Sequence, residues 1–240
     1  MTNRVDLIDL PNYEQKFTNV EGSDWVKVLV ACEESQTVCK AFRERGHEAY
    51  SADIQEPSGG HPEWHVLGDV LPIINGNCTF ITMDGTQHRI EGAWDLLIAH
   101  PPCTYLSIAA NRVWNAPGRE EKRQQAFAFF MTFINAKCKK IVVENPVGYV
   151  NSHFRKPDQI IHPYYFGDPW LKKTCLWLKG VPVLQPSHML PKPEPVYIRF
   201  NGKKIYSTEC MKHTKDRAKN RSKTAPGIAA AMADQWGKLV

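Results

Sequence analysis

Residues 25–53 begin Trp25-Val26-Lys27-Val28-Leu29-Val30-Ala31 and turn through Cys32-Glu33-Glu34-Ser35-Gln36. From about Gln36 to Gly46, Val38, Cys39 and Phe42 recur at helical spacing ahead of Arg43-Glu44-Arg45. The stretch then closes with His47-Glu48-Ala49-Tyr50-Ser51-Ala52-Asp53. The first run is short, apolar and β-branched, as a buried strand is. The middle run is amphipathic and ends at a glycine, as a helix does. The last run is a second strand. Strand, helix, strand within about thirty residues is a βαβ opening, which predicts an α/β fold around a parallel sheet.

The rest of the chain continues that pattern. Asp69 sits in a short segment, Val66-Leu67-Gly68-Asp69-Val70, and residues 78–90 read as a hairpin about Asp84-Gly85. Trp94-Asp95-Leu96-Leu97-Ile98-Ala99 is a buried-strand candidate closed by Pro101-Pro102-Cys103. Residues 120–138 predict a helix with Ala126, Phe127, Phe130, Phe133 and Ile134 on its apolar face. Lys140-Ile141-Val142-Val143 is a strand ending in Glu144-Asn145-Pro146. Strands at 159–166 and 174–179 flank a Gly-Asp-Pro turn. Prolines crowd 182–195, Asn201-Gly202 centres a small hairpin, and residues 225–236 are Ala-rich and helical. The expected organisation is an N-terminal extension over 1–24 and a catalytic core over 25–180. A small basic loop and hairpin region follows over 181–220, and 221–240 holds a helix that packs back on the core.

The chain has 240 residues, 42% hydrophobic and 23% charged, which describes a globular protein rather than a disordered one. No stretch approaches the ~18 apolar residues of a membrane span, and the first residues lack the apolar core of a secretory signal. Neither a membrane protein nor a secreted one is expected. Seven cysteines, an odd number, argue for reduced thiols in a cytosol. Cys210 and His213 form a close pair with no second pair of suitable spacing, so no metal site is expected. The net charge of +5 permits a polyanionic partner without demanding one.

In parallel α/β sheets, ligands bind at the carboxyl ends of the strands. Here those ends hold Cys32-Glu33-Glu34-Ser35, Asp53, Asp69, Pro101-Pro102-Cys103 and Glu144-Asn145. A carboxylate after the second strand suits the two hydroxyls of a ribose, and one after the third suits an adenine amino group. Singly, Asp53 and Asp69 each read first as a turn or helix cap. In order at successive strand ends, they favour a nucleoside-bearing cofactor. The first turn lacks G-x-G-x-x-G and carries two acids, which counts against NAD, FAD and ATP. S-adenosylmethionine, with its positive sulfonium, fits the charge. Cys103, stiffened by two prolines, is a candidate nucleophile; the plainer reading is a small core side chain. Glu144 at a buried strand end is a candidate acid with a raised pKa; the plainer reading is an ion pair or turn acceptor.

Ala99-His100-Pro101-Pro102-Cys103, followed some forty residues later by Val143-Glu144-Asn145-Pro146, resembles the Pro-Cys and Glu-Asn motifs of the DNA cytosine-5 methyltransferases. Asp53 and Asp69 match the acids of that family's second and third motifs. Lys172-Lys173-Thr174 stands where the family has Gln-x-Arg-x-Arg, and Arg221 to Ile228 resembles its last motif. The stretch 26–236 also resembles a compact group of such proteins encoded by phages and prophages. The family's Phe-x-Gly-x-Gly turn is replaced by Cys32–Gln36, Thr104 follows the cysteine, and a separate target-recognition domain is missing or tiny.

The resemblance implies a Rossmann-like S-adenosylmethionine-dependent methyltransferase fold, with a mostly parallel sheet, a late antiparallel hairpin and a minimal target-recognition region. It implies a cytoplasmic enzyme, in a host cytoplasm if phage-encoded, acting on cytosine-containing DNA and needing no membrane or metal; a monomer is compatible with it. Cys103 and Glu144 would be catalytic. Cys32, Glu33, Ser35, Asp53, Ile54, Asp69, Val70 and Pro101 would line the cofactor. Pro102, Asn145, Arg112, Trp114, Arg119 and Lys173 would meet the substrate. Cys103 would attack carbon 6 of a cytosine turned out of the helix, with Glu144 at N3, and carbon 5 would take the methyl group. Residues 104–119 would close over the site. Residues 203–223 carry an excess of six positive charges, more than the whole chain, and read as a phosphate-contacting surface. The rivals are an enzyme that modifies cytosine in single-stranded nucleic acid, RNA or a nucleotide, or with a modified donor, and a catalytically silent DNA-binding anti-restriction protein.

Overall fold

The structure is a computed structural model and describes residues 25–108, 114–209 and 217–238. The N-terminal extension, Arg112 and the Cys210–His213 pair lie outside the described residues.

The βαβ opening is present as β1 (Lys27–Ala31), α1 (Thr37–Arg43) and β2 (Glu48–Asp53). β3 (His65–Leu67) follows, then the hairpin of β4 (Cys78–Ile81) and β5 (Gln87–Ile90). β6 (Leu96–Ala99), α2 (Arg119–Ile134) and β7 (Ile141–Asn145) form the next unit. α3 (Tyr149–His153), β8 (Gln159–Ile161) and β9 (Thr174–Lys179) complete the main sheet. A two-stranded ribbon of β10 (Tyr197–Ile198) and β11 (Lys204–Ile205) precedes α4 (Arg217–Ser222) and α5 (Pro226–Trp236).

The seven-stranded sheet has the order β3-β2-β1-β6-β7-β9-β8. The first five strands are mutually parallel; β9 is antiparallel to both β7 and β8. The cause is local. β8 and β9 are joined without a helix long enough to carry the chain across the sheet, so the chain returns beside itself. The predicted strand over 159–166 is shorter than expected because Pro163 starts a 3-10 turn over Pro163–Tyr165.

Two apolar layers sandwich the sheet. On one face Leu29, Leu97, Val143 and Trp177 pack with Phe130 and Phe133 of α2 and with the β4–β5 hairpin. On the other, Val28, Val30, Ile98 and Leu176 pack with Val38 and Phe42 of α1 and with Ile228, Met232 and Trp236 of α5. The alternation of these residues is the period-two signature of strands buried on both faces. α5 begins where Gly227 passes so close to the Phe166 carbonyl that a Cβ would overlap it. The Gly227 N–H donates to Asp168 Oδ2 at 2.8 Å.

α2 departs from its predicted face in one respect. Arg123 is 3% exposed, its guanidinium lies 3.8 Å from the centroid of the Trp114 ring, and it pairs with Glu120. A charged side chain in an apolar layer is tolerated because the aromatic face and the carboxylate both answer its charge. No helix among the described residues is long and apolar enough to cross a membrane.

Candidate active site

All five parallel strands end at one edge of the sheet. β9 runs the other way, so its start arrives at the same edge, with Cys175 opposite Asn145. That edge therefore gathers the segments after β1, β2, β3, β6 and β7 and the residues just before β9.

Ala99 is in register with Val143, which sets the next residues, His100 and Glu144, side by side. Both continue the face of Ile98 and Val142, toward α1 and α5. His100 Nδ1 lies 3.3 Å from Glu144 Oε2, and the two side chains are only 10% and 14% exposed. A carboxylate accepts and does not donate, so Nδ1 carries the proton of this contact. The other ring nitrogen, Nε2, is buried without a hydrogen-bond partner. The same edge brings Lys172, Thr174, Thr224, Ala225 and Ile228 around a small cavity against Glu144.

Cys103 is held by a tight turn in which its carbonyl accepts from the N–H groups of Leu106 (3.0 Å) and Ser107 (2.9 Å). Burial pushes its thiol up, the Glu144 charge adds to this, and Lys172 and Arg221 oppose it. The thiol, Glu144 and both cations therefore share one electrostatic environment. Gly148 completes it. The Tyr149 N–H donates to the Leu106 carbonyl at 2.7 Å, and a Cβ on Gly148 would overlap that carbonyl. Backbone contacts thus stitch the loop after Cys103 to the loop after Glu144.

Glu144 behaves otherwise than expected. Burial does raise its carboxyl, but the His100 hydrogen bond and the Lys172 charge outweigh burial and leave it below the usual glutamate range. It rests as a carboxylate, not as the acid with a raised pKa that its strand-end position suggests.

The other half of the edge is acidic. Cys32 follows β1 with φ 59°, a left-handed conformation rare for residues other than glycine, and its N–H donates to the Ala52 carbonyl at 2.7 Å. Burial pushes its thiol up, followed by the charges of Asp53 and Asp69. Asp53 Oδ1 accepts from the Gln55 N–H and Asp69 Oδ1 from the Leu71 N–H, so each carboxylate closes its own turn with one oxygen. Ile54, next to Asp53 in sequence, is 79% exposed. Val70 is a core residue, so only its backbone is offered to the edge.

Glu33 is turned inward. Its two carboxylate oxygens accept from the N–H groups of Val38 (2.6 Å) and Cys39 (3.1 Å), at the start of α1. In glycine-rich folds a phosphate takes such amides; here the chain's own carboxyl has them. Burial pushes Glu33 up to about 7, against the opposing pull of His100 and those amides. Ser35 Oγ is engaged by Thr37 at the same turn.

No family model and no curated protein matches this chain.

Several expected substrate residues are placed elsewhere. Asn145 is 1% exposed and donates from Nδ2 to the Pro101 carbonyl at 2.8 Å. It braces the ends of β6 and β7 against each other, because it points to the face opposite Glu144. Pro101 is buried beside it, whereas Pro102 is exposed on a cleft with Tyr105, Lys122 and Phe129. Trp114 is covered by Arg123 and packs on the core rather than standing free. Arg119 donates to the Thr104 carbonyl at 2.8 Å and lies over the Tyr105 ring, so it tethers the loop behind Cys103. Lys173 is exposed and acts on His162; its neighbour Lys172 is the cation that faces Glu144 and Cys103.

His100 and Lys172 lie inside the quoted motifs, but the sequence alone assigns neither a role at the site. His100 lies two residues after Ile98, and Lys172 two before Thr174. The period of two along each strand puts both on the face of Glu144.

Proposed function

We propose that this protein is a DNA methyltransferase that transfers a methyl group from S-adenosylmethionine to carbon 5 of cytosine. The observation that carries the reading is the convergence of Cys103, Glu144, His100 and Lys172 at the ends of adjacent strands. A thiol and a carboxylate that share one electrostatic environment, with a cation acting on both, suit covalent attack on a pyrimidine.

The division of charge along the edge supports the choice of partners. Over β1–β3 lie Asp53 and Asp69, with α1's first amides already taken by Glu33. That half repels phosphate and suits a positively charged sulfonium donor with a ribose. Each Asp keeps a second carboxylate oxygen for a hydroxyl or amino group, and exposed Ile54 offers an apolar surface for a purine ring. S-adenosylmethionine, when bound there, would supply an electrophilic methyl group. The half over β6–β9 carries Lys172 and Arg221, as a polyanion requires. The sheet order adds support. Renumbered along the main sheet, it runs 3-2-1-4-5-7-6 with strand seven reversed. That departs from the 3-2-1-4-5-6 order of dinucleotide-binding sheets, in keeping with a cofactor that is not a dinucleotide.

The chemistry balances on these residues. Cys103 sulfur forms a bond to carbon 6 and the carbon 5–carbon 6 π electrons move toward carbon 5. The thiol proton passes to Glu144, and N3 takes it from that carboxyl as carbon 6 is attacked. Delivered to Glu144, that proton removes the negative charge that holds the thiol up, while Lys172 and Arg221 favour the thiolate. Glu144, oriented by His100, holds the proton at N3. Carbon 5 would then take the methyl group as the donor's sulfonium–methyl bond breaks and a neutral thioether leaves. Carbon 5 would lose its hydrogen as a proton to water, and that electron pair would re-form the carbon 5–carbon 6 double bond. The sulfur–carbon 6 bond would break as the N3 proton returns through Glu144 to Cys103.

The test is to incubate the protein with S-adenosylmethionine and mixed-sequence DNA, digest to nucleosides and measure 5-methyl-2′-deoxycytidine by mass spectrometry. Its appearance with wild-type protein and loss in Cys103→Ser supports the reading. No methylated nucleoside on duplex or single-stranded DNA contradicts it.

A further inference from the structure

The ribbon of β10 and β11 exposes an unusual set of side chains. Val196 is 60% exposed, Tyr197 49%, Ile198 57%, and Phe200 fully so. Four large apolar groups in five residues form a patch of the kind that marks an interaction site. Phe200 is not on a loose tip. The Arg199 N–H donates to the Lys203 carbonyl at 2.9 Å, the Gly202 N–H to the Arg199 carbonyl at 2.8 Å, and the Lys203 N–H to Asn201 Oδ1 at 3.2 Å. Gly202 takes φ 76°, which glycine adopts freely. The turn is built, and it holds a phenyl ring out in solvent.

Two further observations say what covers the patch. The segment 196–208 contains Arg199, Lys203 and Lys204 and no acidic residue. Such a surface complements a polyanion. The ribbon is also fixed to the rim of the candidate site: Ile205 is buried, and Thr208 Oγ1 donates to the Leu171 carbonyl at 3.0 Å, one residue from Lys172. A two-stranded ribbon fits a duplex groove, and apolar wedges inserted between base steps are a known way to unstack them. Trp114, the aromatic expected to fill such a gap, is partly buried and stacked against the Arg123 guanidinium.

We propose that this ribbon enters a groove of duplex DNA beside the cytosine, with Phe200 wedged against the bases and Arg199 and Lys204 on the flanking phosphates. The identity of that duplex as substrate rests on the function proposed above; the contact itself does not.

The test uses the full chain and a fluorescein-labelled mixed-sequence duplex, with anisotropy read over a range of salt. Phe200 touches nothing that folding requires, so Phe200→Ala is a clean variant. Its affinity should fall about ten-fold with an unchanged salt slope, and Phe200→Tyr should restore it, as stacking contacts predict. Arg199→Ala with Lys204→Ala should weaken binding and lower the salt slope by about two. Wild-type affinity in Phe200→Ala, or no duplex binding by the wild type, overturns the proposal. So does a wild-type dimer by sedimentation that Phe200→Ala makes monomeric, since the patch would then pair two copies. Duplex binding that depends on Phe200 without any methylated cytosine would sink the enzymatic reading and leave the ribbon standing. Methylation with no dependence of binding on Phe200 would do the reverse.

Discussion

His100 and Glu144 leave neighbouring strands in register and meet at 3.3 Å, Nδ1 to Oε2, at a largely buried strand end. Burial raises Glu144, and the His100 contact with the Lys172 charge reverses that. Removing the imidazole should let burial win. His100→Ala is expected to raise the Glu144 pKa, read by carbon-13 NMR of the side-chain carboxyl. A depressed carboxylate contributes stability above its unfolded pKa and loses it as pH falls through the folded value. Acid unfolding of the variant should therefore begin at higher pH than in the wild type. Methyl transfer should fall about a hundred-fold, the lower range for a misplaced acid–base group. An unchanged Glu144 titration would mean that the pair is incidental.

Lys172 and Lys173 are adjacent in sequence and opposite in direction. Lys172 lowers both Cys103 and Glu144, and Lys173 acts on His162. Lys172→Met should push the Cys103 thiol higher still and slow its alkylation by iodoacetamide at pH 8 about three- to ten-fold, since one pKa unit is ten-fold in thiolate. Lys173→Met should leave the rate within about two-fold. Peptide mass spectrometry resolves Cys103 from the other thiols.

Glu33 predicts an opposite pH dependence. Its carboxyl is pushed up to about 7 from the ordinary glutamate value of 4.5. A raised acid pKa means that the native state binds more protons than the unfolded state between those values. Stability contributed here therefore falls as pH rises from about 4.5 to 7, by at most about 1.4 kcal/mol per pH unit. Glu33→Gln should flatten that slope in urea unfolding, while losing one of the two amide contacts to α1. A slope identical in both proteins would show that Glu33 titrates normally.

Gly148 sits where the loop after Cys103 touches the loop after Glu144, and a Cβ would overlap the Leu106 carbonyl oxygen. Gly148→Ala must separate the two loops. A loss of about 2 kcal/mol or more in urea unfolding is expected, at the upper end for single substitutions. Alkylation of Cys103 should rise as burial relaxes. A stable variant with unchanged thiol reactivity would show that the loops move independently.

The framework of the molecule is legible in the sequence because its signals are local. Val28 to Ala31, Leu96 to Ala99 and Ile141 to Val143 are apolar runs that end in chemistry-bearing residues, and the Asp84-Gly85 and Asn201-Gly202 turns announce their hairpins. The side-chain directions at the site are less so. That Glu33 faces α1, that Asn145 braces Pro101 and that Lys172 rather than Lys173 meets Cys103 depend on strand parity and on the reversal of β9. Parity is readable only once a strand's register is known, and β9's direction follows from a helix-free connection. Arg123 was hidden for a different reason: its burial depends on Trp114, nine residues away and outside the helix.

The central claim is that Cys103 attacks a cytosine. Duplex DNA of mixed sequence containing 5-fluorocytosine, incubated with the protein and S-adenosylmethionine, tests it most directly. Fluorine cannot leave carbon 5 as a proton does, so a methylated intermediate stays bound to sulfur. A protein–DNA adduct that survives denaturation, carries the mass of one added methyl group and is absent in Cys103→Ser is the predicted result. No adduct with wild-type protein on DNA that it binds would contradict the account.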